Sequence, residues 1–188
     1  STRIARYHIK QDGVKIDKTD YKKLLNIDII STFDTKTEVK KDSSLLDIQL
    51  EKLQSDYGYY LSDLAKQITD VINLEGNINK EKLDSINHIK NNFIAIVNKS
   101  FEDTGKTIDP NESKLTFILK NGEKLHTNAL SSGEKQLLII LLTILLEREK
   151  EYIVLMDEPE ISLHIHWQYE LIDILIMLNP TAQFIIAT

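Results

Sequence analysis

Apolar positions along this chain follow two different rhythms, and the change from one to the other near residue 101 organises everything else. From about Leu45 to Phe101 the spacing is helical. Leu46, Leu50, Leu53 and Tyr57 recur at intervals of three and four, as do Leu61, Leu64, Ile68, Val71 and Ile72. Gly76-Asn77 interrupts the stripe, and Ile86, Ile89, Phe93, Ile96 and Val97 resume it. Two or three amphipathic helices are predicted, antiparallel if the turn near Gly76 is tight, with mixed Lys, Asp and Glu on solvated faces. Beyond them Lys114 to Lys120 alternates, Asn121-Gly122 supplies a hairpin turn signal, and Glu123 to Thr127 returns as the partner strand. In such a turn both central residues are expected at positive φ. An apolar helix then runs from Leu137 to Leu146, followed by a buried-type strand over Tyr152 to Met156. Leu163 to Leu178 reads as a helix stopped by Asn179-Pro180, and Gln183 to Thr188 as a second buried strand. Helix, strand, helix, strand in this order predicts an α/β fold, a parallel sheet covered by helices.

The first stretch, Ser1 to about Ser44, changes that picture little. It carries a β-prone run, Ile27 to Phe33, among lysine-rich polar residues, and no motif that converts into chemistry. The expected division is 1–44 as a connector or the end of a preceding lobe, 45–101 as a helical insertion, and 102–188 as the lobe with the motifs.

Composition narrows the class. A chain of 188 residues makes one or at most two small domains with a real core. A net charge of −6 advertises no strongly basic nucleic-acid surface, and Lys and Arg are spread through the middle without a stripe or interleaved aromatics. A DNA partner therefore has no support from charge. There are no cysteines, which excludes disulfides and thiol-ligated zinc and fits a reducing, cytoplasmic setting. The apolar run Leu137 to Leu146 is half the length of about twenty residues that a membrane span needs, and Glu147 to Glu151 closes it with charge. A buried core helix is expected there, and no membrane association.

Two short runs carry candidate chemistry. In Leu130-Ser-Ser-Gly-Glu-Lys-Gln136, Ser131 and Glu134 stand in the S-x-x-E relation of a capping box directly before the apolar helix. A helix start built of small residues offers free backbone N–H groups and a positive dipole end, which suits a phosphate. Gly133 would let a phosphate approach closely, and the Ser131 hydroxyl would donate to it. Taken alone, the run is equally a well-capped helix. In Ile153 to Pro159 an apolar strand ends in Asp157-Glu158, two carboxylates at the edge where open α/β sheets bind ligands. Asp157 suits Mg²⁺ through its water shell, and Glu158 suits polarising an attacking water. An acidic strand end facing solvent is the plain alternative, and the serine-glycine helix start some twenty residues earlier weighs against it.

Together these residues resemble the ABC-type ATPase head. Leu130 to Glu134 is similar to its signature, Ile153 to Glu158 to its Walker B strand with the catalytic glutamate, and Glu160-Ile-Ser-Leu-His164 to its D-loop. The resemblance is to the non-transporter branch: SMC-like, DNA-repair-like and OLD-like ATPases, and especially the AAA-family ATPases of bacterial phage-defence systems. It implies the C-terminal lobe of such a head, ATP and Mg²⁺ as cofactors, and a homodimer sandwiching nucleotide at composite sites. Ser131, Ser132, Gly133 and Glu134 would bind nucleotide, Asp157 the metal, and Glu158 would be catalytic, with Ser162 and His164 in the D-loop. The implied role is control of an effector, such as a nuclease.

Departures from the pattern are informative. His164 stands where transporter-type D-loops end in Asp, which puts that residue's role across the dimer in doubt. His164 and His166 form an H-x-H pair without an evident third ligand, so helix-start packing or surface exposure is the favoured reading. Gly105-Lys106-Thr107 imitates a P-loop, but G-x-x-x-x-G-K-[ST] needs glycine where Ser100 stands, and proline follows at 110 instead of a helix. A connecting loop is expected at 105–107, and the P-loop and the switch histidine are expected outside this stretch of sequence. Two alternatives stay open: a fragment that cannot hydrolyse ATP and serves as an interaction module, and, less favoured, a transporter ATPase subunit.

Overall fold

The computed structural model describes residues 9–10, 13–14, 26–31, 44–112 and 114–188. The two short strands β1 (Ile9–Lys10) and β2 (Gly13–Val14) pair antiparallel, and β3 (Asn26–Ser31) belongs to the main sheet. The rest of the 1–44 connector before Ser44 lies outside the described residues.

Ser44 starts the first long helix for a local reason. Its side chain accepts from the Asp47 N–H, and the Asp47 carboxylate accepts from Ser44 in return. Helix α1 (Leu45–Glu75) runs to Gly76, whose φ of 77° is the left-handed value that ends helices cheaply only at glycine. Asn79 then caps α2 (Lys80–Ser100) by accepting from the Lys82 N–H. The helical rhythm thus resolves into two helices, and only their proximal parts are buried. Leu46, Leu50, Tyr57, Tyr60 and Leu64 of α1 and Phe93, Ile96 and Val97 of α2 enter the core. No residue from 65 to 92 is buried, and Leu74 near the tip is 84% exposed, so the distal halves form a projecting arm.

After α2 the chain forms β4 (Lys106–Ile108), β5 (Thr116–Leu119) and β6 (Lys124–His126), an antiparallel sheet in that order. Lys106-Thr107-Ile108 is therefore strand and not the expected loop. Its register against Leu119, Ile118 and Phe117 is a pairing between distant residues that local pattern does not reveal. The β5–β6 hairpin forms where predicted, with a different turn. Only Gly122 of the Asn-Gly pair has positive φ, and Leu119 N–H donates to Glu123 O across a three-residue loop.

A single turn of 3-10 helix (Thr127–Ala129) leads into α3 (Ser132–Glu147), then β7 (Tyr152–Asp157), α4 (Ile165–Leu178) and β8 (Gln183–Ala187). Strands β3, β7 and β8 form a parallel sheet in the order β3-β7-β8, with Ser31, Asp157 and Ala187 aligned at its C-terminal edge. The fold is α/β, with a parallel three-stranded sheet flanked by helices. Helix α3 is its centre: Leu137 to Leu142 are wholly buried, packed among α1, α2 and α4. That is the buried core helix expected of Leu137 to Leu146.

Alternation along the strands sends Ile30, Val154 and Met156 into this core. The opposite face carries Ile27, Ile29, Ile153, Leu155 and Ile185 in register, with Ile29 70% and Ile185 50% exposed. No described element covers it.

Candidate functional site

The start of α3 is built as its sequence predicts. Ser131 Oγ accepts from the Glu134 N–H at 3.3 Å, and Glu134 Oε2 accepts from the Ser131 N–H at 2.9 Å. Ser131 and Ser132 are exposed and Gly133 half-buried, so the first turn presents its amides outward. Glu134 does the opposite. It is 4% exposed, and its second oxygen is held by Lys106 Nζ at 2.7 Å. Burial pushes its carboxyl up, but Lys106, the Ser131 N–H and Thr104 outweigh that and hold it below the ordinary carboxylate range. Its carboxylate is thus spent on internal partners that shape the turn.

Gly133 owes its identity to packing. A Cβ there would lie 2.6 Å from the carbonyl oxygen of Ser162 and 3.9 Å from the Trp167 ring. Side chains longer than hydrogen are excluded by the protein itself, before any phosphate is considered.

At the other motif, β7 delivers Asp157 to the exposed sheet edge between Ser31 and Ala187. Glu158 follows in a left-handed conformation, φ 46°, fixed by its N–H donating to Ala187 O at 2.7 Å. Such backbone is costly for a non-glycine residue and is found where function fixes a side chain's direction. The chain then turns tightly: the Ile161 N–H donates to Glu158 O and the Leu163 N–H to Glu160 O. Gln168 of α4 clamps the turn, its amide donating to Glu160 O at 3.0 Å and Leu163 O at 2.9 Å. His164 is the N-cap of α4, Nδ1 accepting from the His166 N–H, and His166 faces Glu170 at 3.7 Å. Among the described residues no three His, Cys, Asp or Glu side chains converge as a metal cluster. His164 thus stands exposed at the helix start.

These parts enclose a cleft of about 410 Å³ lined by Ser131, Gly133, Ser162, His164, Asp103 and Trp167, among others. The structure therefore brings Ser131, Gly133 and Glu134 together with Ser162 and His164. Asp157 and Glu158 do not line this cleft. Sequence reasoning missed the far wall altogether: Ser100 at the end of α2, Asp103 and Thr104 in the turn after it, and Trp167. The one tryptophan of the chain, next to the H-x-H pair, was the available signal.

A family model described as "AAA domain, putative AbiEii toxin, Type IV TA system" matches residues 9–188. The chain belongs to this AAA-domain family. No curated protein matches it. As an AAA domain it is of the nucleotide-binding ATPase class, which commonly works with Mg²⁺. The donor chemistry fits that ion. Mg²⁺ takes hard oxygen ligands, keeps several waters and needs only one or two carboxylates, and the Asp157 carboxylate at an exposed sheet edge is a donor of that kind. No helix among the described residues of this AAA domain is long and apolar enough to cross a membrane.

Proposed function

We propose that this AAA domain is an ABC-type, SMC-like or OLD-like ATPase head that hydrolyses ATP across a dimer of heads and thereby controls an effector. The observation that carries the reading is the distribution of its motifs. An exposed, capped helix start at Ser131 to Gly133 and a carboxylate-bearing strand end at Asp157-Glu158 are both presented outward, yet line no common cleft. Two facing copies can each contribute one of them to a shared nucleotide.

In this reading Ser131 donates its hydroxyl to the γ-phosphate of the partner's ATP, and the amides of Ser132 and Gly133 add the dipole end of α3. Glu134 sets the turn that aims them. Asp157 would hold Mg²⁺, which when bound would supply charge neutralisation at the phosphates. Glu158, its direction fixed by the strained backbone, orients the attacking water and takes its proton. Ser162 and His164 occupy the dimer-facing turn. The apolar face of β3-β7-β8, which no described element covers, is a surface on which a further structural element would pack, since parallel sheets are covered on both sides. The effector, a nuclease or another partner protein, is engaged through the helical arm; DNA has no support from charge.

Glu158→Gln in the full protein tests this. Turnover is expected to fall by at least about a hundredfold, the usual share of a general base, while ATP now traps a stable dimer. Unchanged turnover in that variant sinks the assignment.

A further inference from the structure

The arm formed by α1 and α2 leaves the core, and its root meets the signature turn at one residue. The last carbonyls of α2 have no intrahelical partner. One of them, Ser100 O, accepts a hydrogen bond from Trp167 Nε1 at 2.9 Å, a buried contact across sixty-seven positions of sequence. The indole stacks on Phe101, the C-cap of α2, with centroids 5.8 Å apart, and Phe101 stacks on Phe117 of β5 at 5.2 Å. Phe101 and Phe117 are fully buried, so this column has no slack toward solvent. The other edge of the indole lies under Gly133, 3.9 Å from where a Cβ would stand, and His164 meets the ring edge-on at 6.2 Å.

A second tie reinforces the first. The residues directly after α2 return to the same turn, where Lys106 Nζ donates to the Glu134 carboxylate that shapes it at 2.7 Å. The end of α2, the signature turn and the turn before α4 therefore share one packed junction. Close-packed side chains transmit displacement instead of absorbing it. A shift or rotation of the α2 end has to move the indole, which lies between Phe101 and Gly133 on the wall of the cleft.

We propose that Trp167 is a positioning residue that couples the α1–α2 arm to the signature turn. It sets how Ser131 and Gly133 are presented to the partner's nucleotide according to how the arm is held. This rests on the head-dimer reading above.

The test uses Trp167→Phe in the intact ATPase, which keeps an aromatic ring on Phe101 and removes the N–H to Ser100. Nucleotide binding to the single head, measured with a fluorescent ATP analogue, is expected to stay as in the parent. ATP-dependent head association and kcat are expected to fall roughly three- to tenfold, the equilibrium worth of one neutral hydrogen bond. Amide hydrogen exchange at residues 132–135 is expected to quicken while exchange in α3 beyond Leu137 does not. A purely structural tryptophan would lower melting temperature and nucleotide binding together, with faster exchange throughout α3, and that pattern overturns the proposal. Parent-like association and parent-like exchange at 132–135 also overturn it. Glu158→Gln run in parallel separates the two readings. If it traps no dimer, the head-dimer assignment has failed; if it does and Trp167→Phe behaves as the parent, only the coupling has.

Discussion

Glu147, the last residue of α3, shows how far a single side chain departs from its sequence-level appearance. It opens the charged run that ends the apolar helix, yet it is only 2% exposed. Asn179 donates to its Oε2 at 2.9 Å. Burial, seconded by the nearby Asp28 carboxylate, pushes its carboxyl from the ordinary 4.5 up to about 7 against that hydrogen bond. The folded chain therefore keeps a proton through an interval in which the unfolded chain has lost it. Stability falls as the pH rises from 4.5 to about 7, and the full cost is present above that. Glu147→Gln, which can still accept from Asn179, should be more stable than the parent by about 1–3 kcal/mol at pH 8 and nearly equal to it below pH 5. Denaturant unfolding at the two pH values checks this; a gap that does not change with pH would show that the carboxyl is not held protonated. Gly133 makes a related point. Its glycine is demanded by the Ser162 carbonyl, so a residue type that looked like ligand chemistry is also a packing requirement.

Among the elements, β4 and the start of α3 depend on each other. Lys106 lies on a three-residue strand, and its ammonium reaches the buried carboxylate that closes the α3 capping box. Lys106→Met leaves that carboxylate without its cation and should cost about 3 kcal/mol, as for other buried pairs broken on one side. The deficit should shrink as the pH is lowered, because a protonated Glu134 has no charge to leave uncompensated. Unfolding measured at neutral and acid pH checks both the size and the direction. An unchanged variant would mean that Thr104 and the Ser131 N–H suffice for Glu134. The long helices obey a different logic. α1 and α2 have ordinary caps and a continuous apolar stripe, but Ile72 at 40% and Leu74 at 84% exposure show that the stripe outruns the core. Length beyond the core turns a packing helix into an arm.

For the whole molecule the telling feature is the bare side of the parallel sheet. Ile27, Ile29, Ile153, Leu155 and Ile185 make a contiguous apolar face, and faces of this kind mark contacts. The protein should associate with increasing concentration, and Ile29→Lys combined with Ile185→Lys should abolish the association. Sedimentation velocity distinguishes the cases; association that persists in the double variant would place the contact elsewhere.

What the sequence determined alone was local. The capping box at Ser131 and Glu134, the helix break at Gly76, the buried run Leu137 to Leu146 and the strand ending at Asp157 all follow from spacing and side-chain chemistry within a few residues, and each forms where expected. Pairing between distant segments was decided only in three dimensions. β3 joins β7 through backbone hydrogen bonds that any β-prone run could make, so Ile27 to Phe33 could not announce its neighbour. The Lys106 strand, the Trp167 bond to Ser100 and the inward turn of Glu134 likewise bring together residues far apart in the chain. The two motifs were legible because their chemistry is contiguous. The junction that holds one of them in place was not, because its parts come from α2, β4, α3 and α4 and meet only when the core closes.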